Sequence, residues 1–116
     1  MEIKELLAKQ KNLIRMIDPY FERKYGPNAS LYAKTEEMKT LVLALTDESH
    51  EALRELNWKP WKKTQKQEDL GKLAEEIADC WHFMLEITLL FNLEDTIEAF
   101  LNKTFKKNED RANGGY

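Results

Sequence analysis

Two acidic pairs, Glu48-x-x-Glu51 and Glu76-x-x-Asp79, stand in segments that both read as helices. Residues three apart on an α-helix share a face, so each pair sets two carboxylates side by side. Packing the two helices together gathers all four. Converging carboxylates repel one another in a partly dry cleft, and a cation relieves that repulsion. Their hard oxygens suit Mg²⁺ or Mn²⁺ rather than zinc. The alternative is a solvated or salt-bridged helix face, because a chain with 21 acidic residues produces such spacings readily. Two details favour the cage. Glu48, Glu51 and Glu55 recur beside an apolar stripe, and Glu76 and Asp79 are embedded around Ile77 and Trp81. Half-buried acids need partners.

Other residues can surround such a centre. His82, three positions after Asp79, falls near the acidic face, and with Phe83 it offers a polar edge and an aromatic face to a planar ligand. A lone histidine in an aromatic helical segment is otherwise a hydrogen-bonded core residue. Trp58 and Trp61 flank Lys59 in a proline-containing turn, where packing is the simpler reading. Lys103, Lys106, Lys107 and Arg111 form a basic stretch. It reads either as a solvated helix end that suits the dipole or as a clamp on a polyphosphate, where Arg engages two oxygens at once.

The elements that must position these groups are helical. Apolar residues at Leu6, Leu7, Leu13, Ile14 and Ile17 predict a first amphipathic helix over residues 2–17, ended by Asp18-Pro19. A short piece over 20–24 follows, then a loop containing Gly26 and Pro27. A long helix is expected from about Glu36 to Leu56, with Thr35 a candidate N-cap and Leu41, Leu45, Ala52 and Leu56 near one stripe. Thr64-x-x-Gln67 resembles a capping box opening the next helix, which runs to about Leu90 through Leu73, Ile77, Trp81 and Leu85. Asp95-x-x-Glu98 resembles another, opening a last helix toward Glu109, and the closing residues 112–116 are expected to be mobile. No alternating strand pattern or internal repeat is present. The expected fold is an all-α, antiparallel bundle of four to five helices in a single domain spanning 1–116, with a core completed by dimerisation.

Composition narrows the class. With 34% charged and 42% hydrophobic residues the chain suits a folded helical domain, and a net charge of −3 favours neither nucleic acid nor an anionic membrane as partner. Cys80 is the single cysteine, so an intrachain disulfide is excluded. The first residues lack the pattern of a secretory signal, and no apolar run reaches the length of a membrane span. A soluble, cytoplasmic protein is expected.

Taken in order, these pieces resemble the all-α nucleoside triphosphate pyrophosphohydrolases, the superfamily of the dimeric dUTPases and MazG-like enzymes, over nearly the whole chain. The two acidic pairs match the superfamily's paired metal motifs in order and spacing. Three further stretches resemble the dimeric dUTPase branch: Trp58-Lys59-Pro60-Trp61, Asp79-x-x-His82-Phe83, and Asn108-x-x-Arg111-x-x-x-Gly115-Tyr116. Leu6-Leu7-Ala8-Lys9-Gln10 is similar to the segment where that branch places a base-contacting glutamine. The resemblance implies hydrolysis of a nucleoside triphosphate, above all dUTP, between the α and β phosphates. It implies Mg²⁺ (or Mn²⁺) held by Glu48, Glu51, Glu76 and Asp79, with Glu48 or Glu51 taking a proton from the attacking water. Lys59, Lys103, Lys107, Asn108, Arg111 and Tyr116 would hold phosphates. Gln10, Trp61, His82 and Phe83 would form the base side, in a homodimer or a tetramer. The sequence departs from the pattern at Ile14 and at Thr104, where a lysine is expected and Lys103 and Lys107 lie nearby. A MazG-like enzyme of different base preference and a non-catalytic helical interaction module are the other readings.

Overall fold

In a computed structural model, described for residues 1–114, five helices follow one another: α1 (Ile3–Ile17), α2 (Phe21–Tyr25), α3 (Leu31–Arg54), α4 (Leu70–Leu90) and α5 (Glu94–Ala112). There is no strand among the described residues. In α1, Leu7, Gln10 and Ile14 recur at helical spacing and are its buried positions. The helix stops where Pro19 withholds a donor. Asp18 then closes the turn, its Oδ1 accepting from the Tyr20 backbone at 2.8 Å. Phe21 and Tyr25 stack at 5.3 Å on the buried side of α2. At Gly26 the chain passes so close to the preceding turn that an added Cβ would sit 2.5 Å from the Glu22 carbonyl oxygen.

α3 and α4 form the main packed pair, and cross-helix contacts give their direction. Lys34 donates to the Leu90 carbonyl, Ser49 Oγ lies 3.9 Å from Cys80 Sγ, and Glu48 approaches Glu76. Positions rise along α3 as they fall along α4, so the pair is antiparallel. The core beneath it contains Leu7, Ile14, Phe21, Tyr25, Leu41, Leu85, Leu89 and Leu90, with Leu90 fully enclosed. Lys34 secures one end of this seam, donating also to the Lys24 carbonyl at 2.9 Å. The Lys24 ammonium sits between Asp18 and Glu37 at 2.9 Å from each. Burial lowers the Lys24 pKa, but the hydrogen bonds to Glu37 and Asp18 outweigh it and the net shift is upward.

Three helix starts differ from expectation. α3 begins five residues earlier than Thr35 implies, because Ser30 is the N-cap and accepts from the Ala33 N–H at 3.0 Å; Thr35 lies inside the helix and donates back to the Leu31 carbonyl. Thr64-x-x-Gln67 does not open α4. The Asn57 side chain holds Lys66 from both sides, accepting from its N–H at 3.0 Å and donating to its carbonyl at 2.9 Å. That keeps residues 55–69 non-helical, and Asp69 caps α4 instead. α5 starts at Glu94, just after Asn92 takes a left-handed φ of 54°, and runs to Ala112 with no side-chain cap.

The expected apolar faces are only partly covered. Trp81 is 59%, Phe100 64% and Phe105 61% exposed, and α5 buries no residue. A groove of about 490 Å³ runs between α1, α4 and α5, lined by Ile3, Leu7, Trp81, Met84, Leu101 and Phe105 among others. The radius of gyration, 18.2 Å, exceeds the roughly 13 Å of a compact domain of this length. Replacing the enclosed Leu90 by alanine is expected to cost about 3 kcal/mol, read as a lower urea midpoint at unchanged slope. A cost under about 1 kcal/mol would mean that the α3–α4 seam is not the core.

Candidate metal centre

The carboxylates predicted to meet do so in the seam between the C-terminal half of α3 and the N-terminal half of α4. One ligand oxygen each from Glu48, Glu76 and Asp79 lies within 4.8 Å of the others. Glu51, one turn after Glu48, stands beside Glu76 at hydrogen-bonding range. Helical periodicity makes this possible, since α3 and α4 each place two acids on the face turned to the partner.

Among the described residues, no ion pair supplies these acids with a counter-charge. Glu48 Oε2 and Glu76 Oε2 are shielded from solvent and have no hydrogen-bond partner. As carboxylates both can only accept, so the two oxygens are satisfied by a retained proton or by a cation. The Glu48 carboxyl is accordingly pushed up to about 7, first by a proton shared with Glu76, then by desolvation and by the charges of Glu51, Asp79 and Glu76. Glu51 is raised as well, chiefly through its hydrogen bond to Glu76. A divalent ion would replace that proton, and an all-oxygen donor set open on the Asp79 side fits a hard cation that keeps some of its water.

The remaining candidates divide into groups. Gln10 on α1 and His82 on α4 are brought together: Gln10 Oε1 is 2.7 Å from His82 Nδ1, and Gln10 Nε2 donates to Glu86 Oε1 at 3.0 Å. Gln10 is buried, so its amide is spent inside the protein, whereas His82 is exposed. Phe83 is half-buried and packs against the core. Lys59 and Trp61 lie in the loop after α3. Trp58 and Trp61 meet edge to face at 5.9 Å, with the Lys59 ammonium 5.1 Å over the Trp58 ring. This loop frames a basic cleft of about 340 Å³ with Arg54, Lys62 and Lys66. Lys103, Lys107, Asn108 and Arg111 sit on the exposed α5. No hydrogen bond or ion pair joins Lys103, Lys107 or Asn108 to the four acids. Tyr116 lies outside the described residues.

Sequence reasoning missed Glu86, the inner partner of Gln10. Its signal was a single acid inside the apolar run Met84-Leu85-Glu86-Ile87, four residues after His82. Burial raises its carboxyl pKa first, and the negative charge of Glu37 adds to the shift.

The raised Glu48 pKa links stability to pH. A carboxyl that titrates near 4.5 when unfolded and near 7 when folded holds more proton in the folded state between those values. Its contribution is therefore present below about pH 4.5 and lost as pH rises through about 7. In the presence of a chelator, thermal unfolding is expected at a lower temperature at pH 8 than at pH 6. Glu48→Gln, which can donate to Glu76 at any pH, is expected to flatten this dependence. An unchanged slope in the variant would remove Glu48 from the cluster.

The family described as dUTPase matches residues 2–113, nearly the whole chain. No curated protein and no solved structure shows a significant match. The helical fold and the extent of that match agree, and the chain belongs to the all-α dUTPase family.

Proposed function

We propose that this protein is a Mg²⁺-dependent nucleoside triphosphate pyrophosphohydrolase that converts dUTP to dUMP and pyrophosphate. The observation that carries the reading is the pair of shielded, donor-less oxygens on Glu48 and Glu76 in a carboxylate cluster that Asp79 completes, in a chain of the dUTPase family. Glu48, Glu51, Glu76 and Asp79 would hold the ion. When bound, Mg²⁺ neutralises charge on the phosphate oxygens and lowers the pKa of water. Glu48 or Glu51 accepts the proton of the attacking water through an oxygen left free. Water oxygen bonds to phosphorus as the bridging P–O bond between the α and β phosphates breaks, and the bond electrons leave with the departing phosphate group. Lys59, in the basic cleft, supplies positive charge to the phosphate chain, as do Lys103, Lys107 and Arg111 of the C-terminal segment, while Asn108 and Tyr116 donate neutral hydrogen bonds to the phosphate oxygens. Trp61, His82 and Phe83 form the base side, with Gln10 behind His82.

The functional unit in this reading is a homodimer. The chain exposes 8934 Å², whereas a compact monomer of 13.7 kDa shows about 6,600 Å². The excess, roughly 2,300 Å², is on the scale of an obligate dimer interface. The groove between α1, α4 and α5 and the exposed Trp81, Leu101 and Phe105 support an interface on that face. No described helix is long and apolar enough to cross a membrane.

Incubation with dUTP, dCTP, dTTP and dATP plus Mg²⁺, with separate assays for pyrophosphate and orthophosphate, tests the activity. Pyrophosphate from dUTP is expected. Turnover spread evenly over the bases would favour the MazG-like reading, orthophosphate alone would place cleavage at another bond, and no turnover would leave an interaction module. Glu51→Gln is expected to lower kcat by about 100-fold or more with the fold intact by circular dichroism. Asp79→Asn is expected to raise the Mg²⁺ requirement by about tenfold. Sedimentation at micromolar concentration is expected to give twice the 13.7 kDa chain mass, and Phe105→Arg to give the chain mass. A wild-type monomer would refute the dimer, and fourfold mass would make it a tetramer.

A further inference from the structure

A line of hydrogen bonds leads from the interior to the α4 face that carries Asp79. Glu86 is at its inner end, Gln10 in the middle and His82 at the surface, with separations of 3.0 Å and 2.7 Å. The chemistry of these three groups sets the direction of every proton. A carboxylate accepts and does not donate, so Glu86 draws the NH₂ of the Gln10 amide. The amide oxygen is then left facing His82, and an oxygen in contact with Nδ1 requires a hydrogen on that nitrogen. In the neutral ring the lone pair therefore lies on Nε2. Gln10 is 5% exposed and enclosed, which keeps its amide from turning over, whereas His82 is exposed and its Nε2 makes no hydrogen bond among the described residues. Nε2 is not part of the acidic cluster, whose members are Glu48, Glu76 and Asp79, although it stands one helical turn from Asp79.

We propose that Glu86 is a positioning residue which, through Gln10, holds His82 in the Nδ1–H form and so presents Nε2 as a hydrogen-bond acceptor to a planar ligand carrying a ring N–H. Imidazole free in water prefers the opposite tautomer, so the interior carboxylate changes what the surface residue can recognise. The identity of the ligand rests on the nucleotide reading above: the imide N3–H of uracil is such a donor, whereas cytosine has a bare nitrogen at that ring position. Gln10 in this arrangement serves the base indirectly, by orienting His82.

Long-range proton–nitrogen NMR of the intact protein at pH 8 tests the tautomer without any turnover. The wild type is expected to show a protonated Nδ1 and a bare Nε2 at His82, and Glu86→Gln, whose amide can pair with Gln10 in either orientation, to show a mixture. Glu86→Leu provides a second variant. An Nε2–H ring in the wild type, or an Nδ1–H ring unchanged in both variants, would overturn the proposal. With a non-hydrolysable dUTP analogue and Mg²⁺, the Nε2 resonance is expected to move as it accepts a hydrogen bond, and a saturating analogue that leaves it in place would overturn the ligand side. In the enzyme assay Glu86→Gln is expected to raise KM for dUTP about fivefold with little change in kcat. Equal loss in kcat and kcat/KM would instead mark a merely structural role. Absence of turnover in the wild type with the Nδ1–H ring intact would sink the enzymatic reading and uphold the tautomer.

Discussion

Glu48 and Glu76 each turn one carboxylate oxygen into a packed seam where no group among the described residues donates to it, and Glu51 and Asp79 add charge of the same sign. Burying an acceptor without a partner is costly, and burying several like charges more so. A family of sequences free to lower that cost could place a lysine or a glutamine at any of these positions. A hydrogen bond with Glu76, desolvation and that repulsion push the Glu48 carboxyl up, and the arrangement makes physical sense as a receptor for a divalent ion whose charge the protein does not itself supply.

The rest of the bundle holds that seam closed. At its other end Lys34 bonds the carbonyls of Lys24 and Leu90, and Lys24 bridges Asp18 and Glu37. From Lys34 to Glu48 along α3 is about 21 Å at the rise of an α-helix. The α3–α4 pair is thus secured by satisfied polar contacts and an enclosed Leu90 at one end and left electrostatically unsatisfied at the other. Gln10 links α1 into the same pair through His82 and Glu86, so the helix that would back the base side is positioned by the polar interior rather than by apolar packing alone.

The five-helix architecture and the meeting of the acidic pairs were legible in the sequence because helical spacing alone puts Glu48 with Glu51 and Glu76 with Asp79 on single faces. The start of α4 was not. Thr64-x-x-Gln67 has the letters of a capping box, but the Asn57 amide claims the Lys66 backbone, a contact across nine residues that local pattern does not encode. Glu86 escaped for a related reason: a lone acid in an apolar run shows that a partner exists but not that it is Gln10, 76 positions away. Trp81 and Phe105 show a third limit. Periodicity identifies an apolar face, yet whether the same subunit covers it depends on how far α5 swings out. The match of residues 2–113 to the dUTPase family bears on the chain's kinship, while the roles of individual site residues rest on geometry.

The most direct test is to locate a divalent ion. Crystals soaked with Mn²⁺ and a non-hydrolysable dUTP analogue, with diffraction recorded at the manganese absorption edge, would show the ion by its anomalous signal. A peak bounded by Glu48, Glu76 and Asp79, with phosphate oxygens completing its shell, is the predicted result. An ion held elsewhere, or no peak at millimolar Mn²⁺ with the analogue in place, would contradict it.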